Sequence, residues 1–337
     1  MINLRNLEEH PTMFETQAVN TMMAESACTP DAMPLVPGLW NEGELACLFA
    51  ESNVGKSILA VQVASKIAEN QKVLYLDCEL SSKQFQMRYS NSETQQMHFF
   101  PENFLRATIA PERLREGDFC ENFIDDMERE AMLTGARVII LDNLSYACIT
   151  SEKGDDAGKF MLRLKRIQMI HGWSMLVIAH TPKKDPYTTL TTNDLAGSKK
   201  LFNFFDAVFA LGKAREEGVR YLKQLKCRVG EFTYPENNVA VCEIVKEDDG
   251  YLHLVHTDNS EEYNLLCRPT SYSPETEDEI LQLSQKGWSI RAIAEKTQVS
   301  RSTVQRIKER LSSKASCRKE APAEIEFCFI SYSREVS

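Results

Sequence analysis

The chain has 337 residues, of which 43% are hydrophobic and 26% charged, and its formal net charge is −10. That length suggests about two domains or one large domain with an appendage, and the composition is that of a globular chain, not a disordered or collagen-like one. The acidic balance argues against a surface that coats nucleic acid as a whole, no stretch approaches the ~18 uninterrupted apolar residues of a membrane span, and the ten cysteines include no C-x-x-C pair of a zinc ribbon or redox motif.

Residues 1–38 read as an irregular N-terminal arm, because Pro11, Pro30, Pro34 and Pro37 interrupt any long helix. Met1 to Glu25 has acids and no apolar run, so no secretory signal is expected. Several cysteines lie inside apolar runs, where they act as small hydrophobes, and a reducing cytoplasm is the expected location. Pro34 to Leu45 reads as a turn that packs on the core edge and leads into the first strand.

The central motif is Leu48-Phe49-Ala50-Glu51-Ser52-Asn53-Val54-Gly55-Lys56-Ser57. An apolar run from Leu45 to Phe49 precedes it, and Ile58, Leu59, Val61, Val63, Ala64 and Ile67 follow at helical spacing. Strand, tight loop and helix in that order form the context of a phosphate-binding loop. Glu51, Ser52, Asn53, Val54, Gly55, Lys56 and Ser57 are therefore the expected ATP-binding residues. Loop N–H groups and the helix N-terminus would face the phosphates. Lys56 would reach the β- and γ-phosphates, and Ser57 would ligate Mg²⁺. Ala50 stands where the pattern has its first glycine, which an alanine can replace only at negative φ.

Lys72 to Leu80 is a short apolar run ending in acids, expected as a buried strand, with Ser81 or Ser82 capping a following helix. Met97 to Pro111 reads as loop, and Glu116 to Leu133 as an amphipathic helix. Arg137 to Leu144 has the form of a strand whose closing acid, Asp142, is expected to hold Mg²⁺. A basic helix is expected over Phe160 to Ile170, and another buried strand over Ser174 to Thr181. The stretch from Pro182 to Asp194 reads as a mobile loop. Asp206 to Leu211 is a further strand; Tyr221 to Arg228, Val239 to Val245 and Tyr251 to Val255 read as antiparallel edge strands. Strand–helix alternation predicts a mostly parallel sheet with its site at the strand carboxyl ends.

Asn259 to Pro274 is polar and turn-rich, an expected linker. Beyond it, Ile290, Ile293, Ala294, Val299, Val304 and Ile307 fit a helix-turn-helix. From Lys286 to Lys314 there are eight basic residues against Glu295 and Glu309. Charge and motif together point to duplex DNA, with Arg301, Ser302, Thr303 and Arg306 at the start of the expected recognition helix. A three-helix protein-docking module is the alternative. The tail contains one apolar stretch, Ile325 to Ile330, with no assignable role.

Taken together, Ala50–Ser57, Val73–Glu79, Val138–Asp142, Val177–Thr181 and Ala196–Asp206 resemble RecA-like ATPases. They are most similar to the hexameric plasmid replicative helicases of the RepA type, and also to the DnaB and RadA groups. The resemblance implies an α/β fold: a RecA-like P-loop NTPase with a mostly parallel sheet, plus a small all-α helix-turn-helix domain. The resemblance covers roughly Pro34 to His256; with the chain-order reading, the ATPase is expected at 39–258, the linker at 259–274, the helix-turn-helix at 275–312 and the tail at 313–337. By that resemblance Lys56, Glu79, Asp142 and His180 are the catalytic set. Glu79 would polarise the attacking water, Ser57 and Asp142 would hold the metal, and His180 would sense the γ-phosphate. Lys183 and Gly197-Ser198 resemble RadA-like phrases. The implied cofactors are ATP and Mg²⁺. The implied partners are single-stranded DNA at the core, duplex DNA at the C-terminal unit, and copies of the chain in a homo-oligomer, as a hexamer, completed in trans by Lys213, Arg215, Lys226 or Arg228. No membrane association is expected. A RadA-like recombination ATPase and a nucleotide-gated DNA-binding regulator remain alternatives.

Overall fold

The computed structural model describes residues 13–144, 154–181, 188–195, 199–266, 274–305 and 307–308. Lys183, Gly197, Ser198, Arg306, Arg310 and the 325–330 stretch lie outside the described residues.

In chain order the elements begin with helix α1 (Val19–Ser26) and strands β1 (Pro34–Val36) and β2 (Trp40–Asn41). Next come β3 (Leu45–Ala50), α2 (Lys56–Ala68), β4 (Val73–Asp77), α3 (Ser82–Arg88), β5 (Phe104–Thr108), α4 (Phe119–Thr134) and β6 (Val138–Asp142). They continue with α5 (Gly154–His171), β7 (Ser174–His180), α6 (Lys199–Phe202), β8 (Ala207–Lys213), β9 (Val219–Cys227), β10 (Val239–Lys246) and β11 (Leu252–Ser260). Then come α7 (Glu262–Leu266), α8 (Pro274–Gln285) and α9 (Ile290–Thr297), and residues 301–305 are again helical.

Nine strands form one sheet in the order β11-β10-β9-β8-β3-β7-β6-β4-β5. From β8 to β5 all neighbours are parallel, while β9, β10 and β11 add on antiparallel. Successive side chains of a strand point to opposite faces. In β3, Ala46, Leu48 and Ala50 accordingly join one core with Leu59, Val63 and Ile67 of α2. Leu45, Cys47 and Phe49 join the other, with Ile124 and Met127 of α4 and Phe160 and Leu164 of α5. Burial on both faces explains why these strands are continuous apolar runs.

The expected α/β architecture with a mostly parallel sheet and a separate small helical unit is what forms. Three local readings change. Phe104–Thr108 is a strand, not loop: it pairs with β4 at the sheet edge, where half-buried residues and Arg106 hide the apolar pattern. The arm contains α1, short enough to fit between the prolines, and none of its residues is buried. As expected of a stretch packed on the core edge, Leu35 and Val36 join the core cluster with a fully buried Trp40. The stretch expected as linker begins as structure: β11 runs to Ser260, and α7 buries Glu262 and Leu266.

Glu262 explains the last difference. It is fully buried and pairs with Lys223 Nζ at 2.5 Å. Its other oxygen accepts from the Tyr221 hydroxyl at 2.9 Å and from Leu190 N–H at 2.7 Å. Tyr221 in turn packs over Gly212, where an added Cβ would meet the ring at 2.3 Å.

The helical unit has its own core of Ile280, Leu283, Ile293, Val304 and Ile307, with Ile290, Ala294 and Val299 against it. Ser289 caps α9 by accepting from Ala292 N–H at 3.2 Å, and Gln298 ends it in the left-handed region at φ 56°.

Candidate functional site

The carboxyl ends of β3, β4, β6 and β7 converge on one edge of the parallel sheet, where an open α/β sheet binds its ligand. The loop after β3 occupies the centre of that edge. Ala50 ends the strand in regular register, opposite His180 on one side and Leu211 on the other. It is extended backbone, so alanine meets the condition the sequence set for it. The turn comes later, at Asn53 with φ 62° and Gly55 with φ 116°. A Cβ on Gly55 would lie 3.0 Å from Ile244 Cδ1 in addition to that strain, so only glycine fits.

Gly55 is the N-cap residue of α2, and Lys56 and Ser57 begin the helix. This directs the helix N-terminus, with its unpaired N–H groups, toward the edge. Lys56 is only 5% exposed. Burial lowers its pKa, opposed by the charges of Glu79 and Asp142. Arg220 of β9 braces the loop by donating from Nε to the Val54 carbonyl at 2.9 Å.

Asp142 closes β6 and is buried. Burial pushes its pKa up, against hydrogen bonds from Tyr75 and Ser57 that favour the charged form. Oδ2 accepts from the Tyr75 hydroxyl at 2.6 Å, while Oδ1 is buried without a hydrogen-bond partner. A buried carboxylate oxygen with a free lone pair beside a serine hydroxyl suits a hard divalent cation with oxygen ligands. Ser57 and Asp142 could therefore hold Mg²⁺, and the glycine turn with Lys56 could hold a phosphate.

Glu79 lies just beyond β4, its side chain 42% exposed. Its Oε1 accepts from Asn143 Nδ2 and lies 3.3 Å from His180 Nε2. Asn143 Nδ2 is also 3.1 Å from His180 Nε2. The structure thus brings Lys56, Ser57, Glu79, Asp142 and His180 to one edge. Asn143, Tyr75, Asp77, Arg106 and Arg220 belong to the same constellation and were not read as site residues. Adjacency to Asp142 was the available signal for Asn143; the others depend on strand neighbours that a sequence does not display.

Two of the cations considered for a trans role are tied within the chain. Lys226 Nζ donates to the carbonyls of Phe202 and Asn203 at 3.0 and 3.4 Å. Arg228 Nη1 pairs with Asp206 at 2.9 Å.

At the C-terminal unit Arg301 and Ser302 are exposed and Thr303 is half-buried, in the helical stretch that follows the turn. Ser300 Oγ accepts from Thr303 N–H at 3.2 Å and starts that helix. The unit's first helix, α8, carries Glu277, Asp278 and Glu279, so its positive face is confined to the later helices.

No curated protein matches the chain. Among solved structures, a KaiC-like protein from the hyperthermophilic archaeon Pyrococcus horikoshii OT3 is similar at 15% identity, with a TM-score of 0.47 over 65% of this chain and 93% of that one. Residues 268–311 match the family described as the helix-turn-helix domain of resolvase. Residues 9–186 match the family described as the AAA domain. That second match spans more than half of a chain whose strand-end loop, helix start and buried acid form one cradle, and the chain belongs to the AAA domain family.

Proposed function

We propose that the protein is a Mg²⁺-dependent ATPase that couples nucleotide turnover to DNA. The observation that carries this reading is the convergence of Lys56, Ser57, Asp142 and Glu79 at the carboxyl ends of β3, β6 and β4 in one parallel sheet.

Glu51 to Ser57 would cradle the phosphates, with Lys56 on the β- and γ-phosphates. Ser57 and Asp142 would hold Mg²⁺, which when bound neutralises charge on the phosphate oxygens. Glu79 is open to solvent on one side, so it can meet a water and accept its proton. Asn143 and His180 hold the Glu79 carboxylate at the edge of the cradle. His180 ends the strand that leads into 182–187. A change at the phosphate could therefore pass along β7 to a DNA-contacting loop.

The finer reading is a helicase of a plasmid or other mobile element. In it a hexameric ring would translocate single-stranded DNA through the core, while residues 275–312 bind duplex. A cation of the neighbouring subunit would complete each site. The deciding experiment measures ATPase rate with and without single-stranded DNA, alongside native mass across a dilution series. Stimulation by DNA, and specific activity that rises steeply at the assembly threshold, are expected. Flat activity in a monomer that ignores DNA would remove the reading. A nucleotide-gated regulator is the second reading, favoured by the independent core of the helical unit. It predicts tight duplex binding without stimulated turnover.

A further inference from the structure

We infer that the pair of buried Asp77 and half-buried Arg106 positions Glu79, setting the rate of hydrolysis without touching nucleotide. The inference rests on the reading of Glu79 as the base.

Asp77 ends β4 and is only 4% exposed. Its Oδ1 accepts two backbone hydrogen bonds from the turn that follows, from Glu79 N–H at 3.0 Å and Leu80 N–H at 2.9 Å. Its Oδ2 faces Arg106, with Nε at 2.9 Å and Nη2 at 2.8 Å. The same Nη2 donates to the Leu80 carbonyl at 2.5 Å. The Arg106 guanidinium lies over the Phe85 ring at 4.7 Å, which fixes its plane. The Glu79–Leu80 turn is therefore held from both directions. Asp77 grips its N–H groups, and Arg106 grips both Asp77 and the outgoing carbonyl.

Strand pairing alone does not call for this device. β4 and β5 pair in register from Val73–Phe104 to Asp77–Thr108 through their backbones. A buried ion pair is also a poor source of net stability, since an apolar pair of similar volume often does as well. What the charged fork provides is geometry. Nε and Nη2 of one planar guanidinium both reach Oδ2 while Nη2 also reaches the Leu80 carbonyl, a fixed set of contacts that lysine cannot reproduce. The Glu79 carboxylate is built on this turn, and its own contacts, Asn143 and His180, lie on the far side. Loosening the turn shifts the base relative to the bound phosphate.

The test compares parental protein, Arg106→Lys, Glu79→Gln and the double variant in the full chain. The readouts are kcat and KM for MgATP, affinity for a fluorescent nucleotide, and the thermal midpoint. Arg106→Lys is expected to lower kcat by about 10–100-fold, the scale of a ~1 Å misplacement, with KM and nucleotide affinity within about twofold. In the Glu79→Gln background the same substitution should change the residual rate by less than about twofold, because residues acting as a unit are non-additive. Asp77→Asn keeps an acceptor for the two N–H groups but removes the ion pair and turns an amide NH2 toward Arg106; it should show a comparable loss with the same non-additivity. Equal losses in both backgrounds, or an unchanged kcat in Arg106→Lys, overturn the inference while leaving Glu79 as base. A parental rate in Glu79→Gln overturns the reading of Glu79, and this inference with it.

Discussion

Asp142 and Tyr75 meet at 2.6 Å across the β4–β6 pair, the phenol donating to the carboxylate that closes β6. That hydrogen bond lowers the Asp142 pKa against the burial that raises it. If Asp142 holds the metal, binding needs the ionised carboxylate, so activity should be full above the Asp142 pKa and lost as pH falls through it. Tyr75→Phe removes a bond that favours the charged form, and the acid limb of the ATPase profile should move to higher pH. Added Mg²⁺ should move it back. A kcat/KM profile at two Mg²⁺ concentrations checks this; an acid limb unmoved by the substitution would separate Asp142 from the metal.

Lys56→Ala should remove both turnover and most nucleotide affinity, since Lys56 is a buried cation at the start of the helix that faces the cradle. Glu79→Gln should bind nucleotide normally and turn over about 10²–10⁴-fold more slowly, the range for losing a general base. Single-turnover hydrolysis alongside nucleotide titration separates the two effects.

The Lys223–Glu262 pair sets where the chain can be cut. A chain ending at Ser273 keeps α7 and should unfold like the parent core. A chain ending at Ser260 loses Glu262 and leaves buried Lys223 with only the exposed Glu236 carboxylate and the Leu190 carbonyl, a loss of up to about 3–5 kcal/mol. Urea unfolding of the two truncations reads the difference. Equal stability would mean that Lys223 finds another carboxylate, with Glu236 at 3.1 Å the nearest partner already in contact.

Replacing Arg301 and Arg306 by Ala should weaken duplex binding and leave basal ATPase activity intact. Binding by the parent should fall with salt, because counterions are displaced from the phosphates. Duplex titrations at two salt concentrations, including the chain ending at Ser273, provide the check. Undiminished affinity in the truncated chain would move the DNA contact to the core and leave the helices as a docking unit.

The central strands were legible because burial on both faces leaves only apolar residues between polar ends. Lys56 and Ser57 were legible because strand, loop and helix are contiguous. β5 was not, since an edge strand needs apolar side chains only in part, and Arg106 sits in its middle. The roles of Asn143, Arg106 and Arg220 were hidden for another reason. Each acts on a residue at least 29 positions away, brought near by strand order alone. α7 was obscured because Glu262 reads as a surface acid until Lys223 is placed opposite it.

Gln62 of α2 and Leu254 of β11 exchange hydrogen bonds in both directions, at 2.9 and 3.0 Å, across 192 residues of chain. Leu45 N–H likewise bonds to Asp206 at 2.9 Å, 161 residues on. The helix that presents Lys56 and the strand that precedes it therefore acquire their full set of neighbours only when most of the chain has left the ribosome. Long-range pairing of this kind slows folding and leaves strand edges open for longer. Synthesis thus delays the finished cradle until the antiparallel strands have docked, and an interrupted nascent chain holds the phosphate loop without its supports.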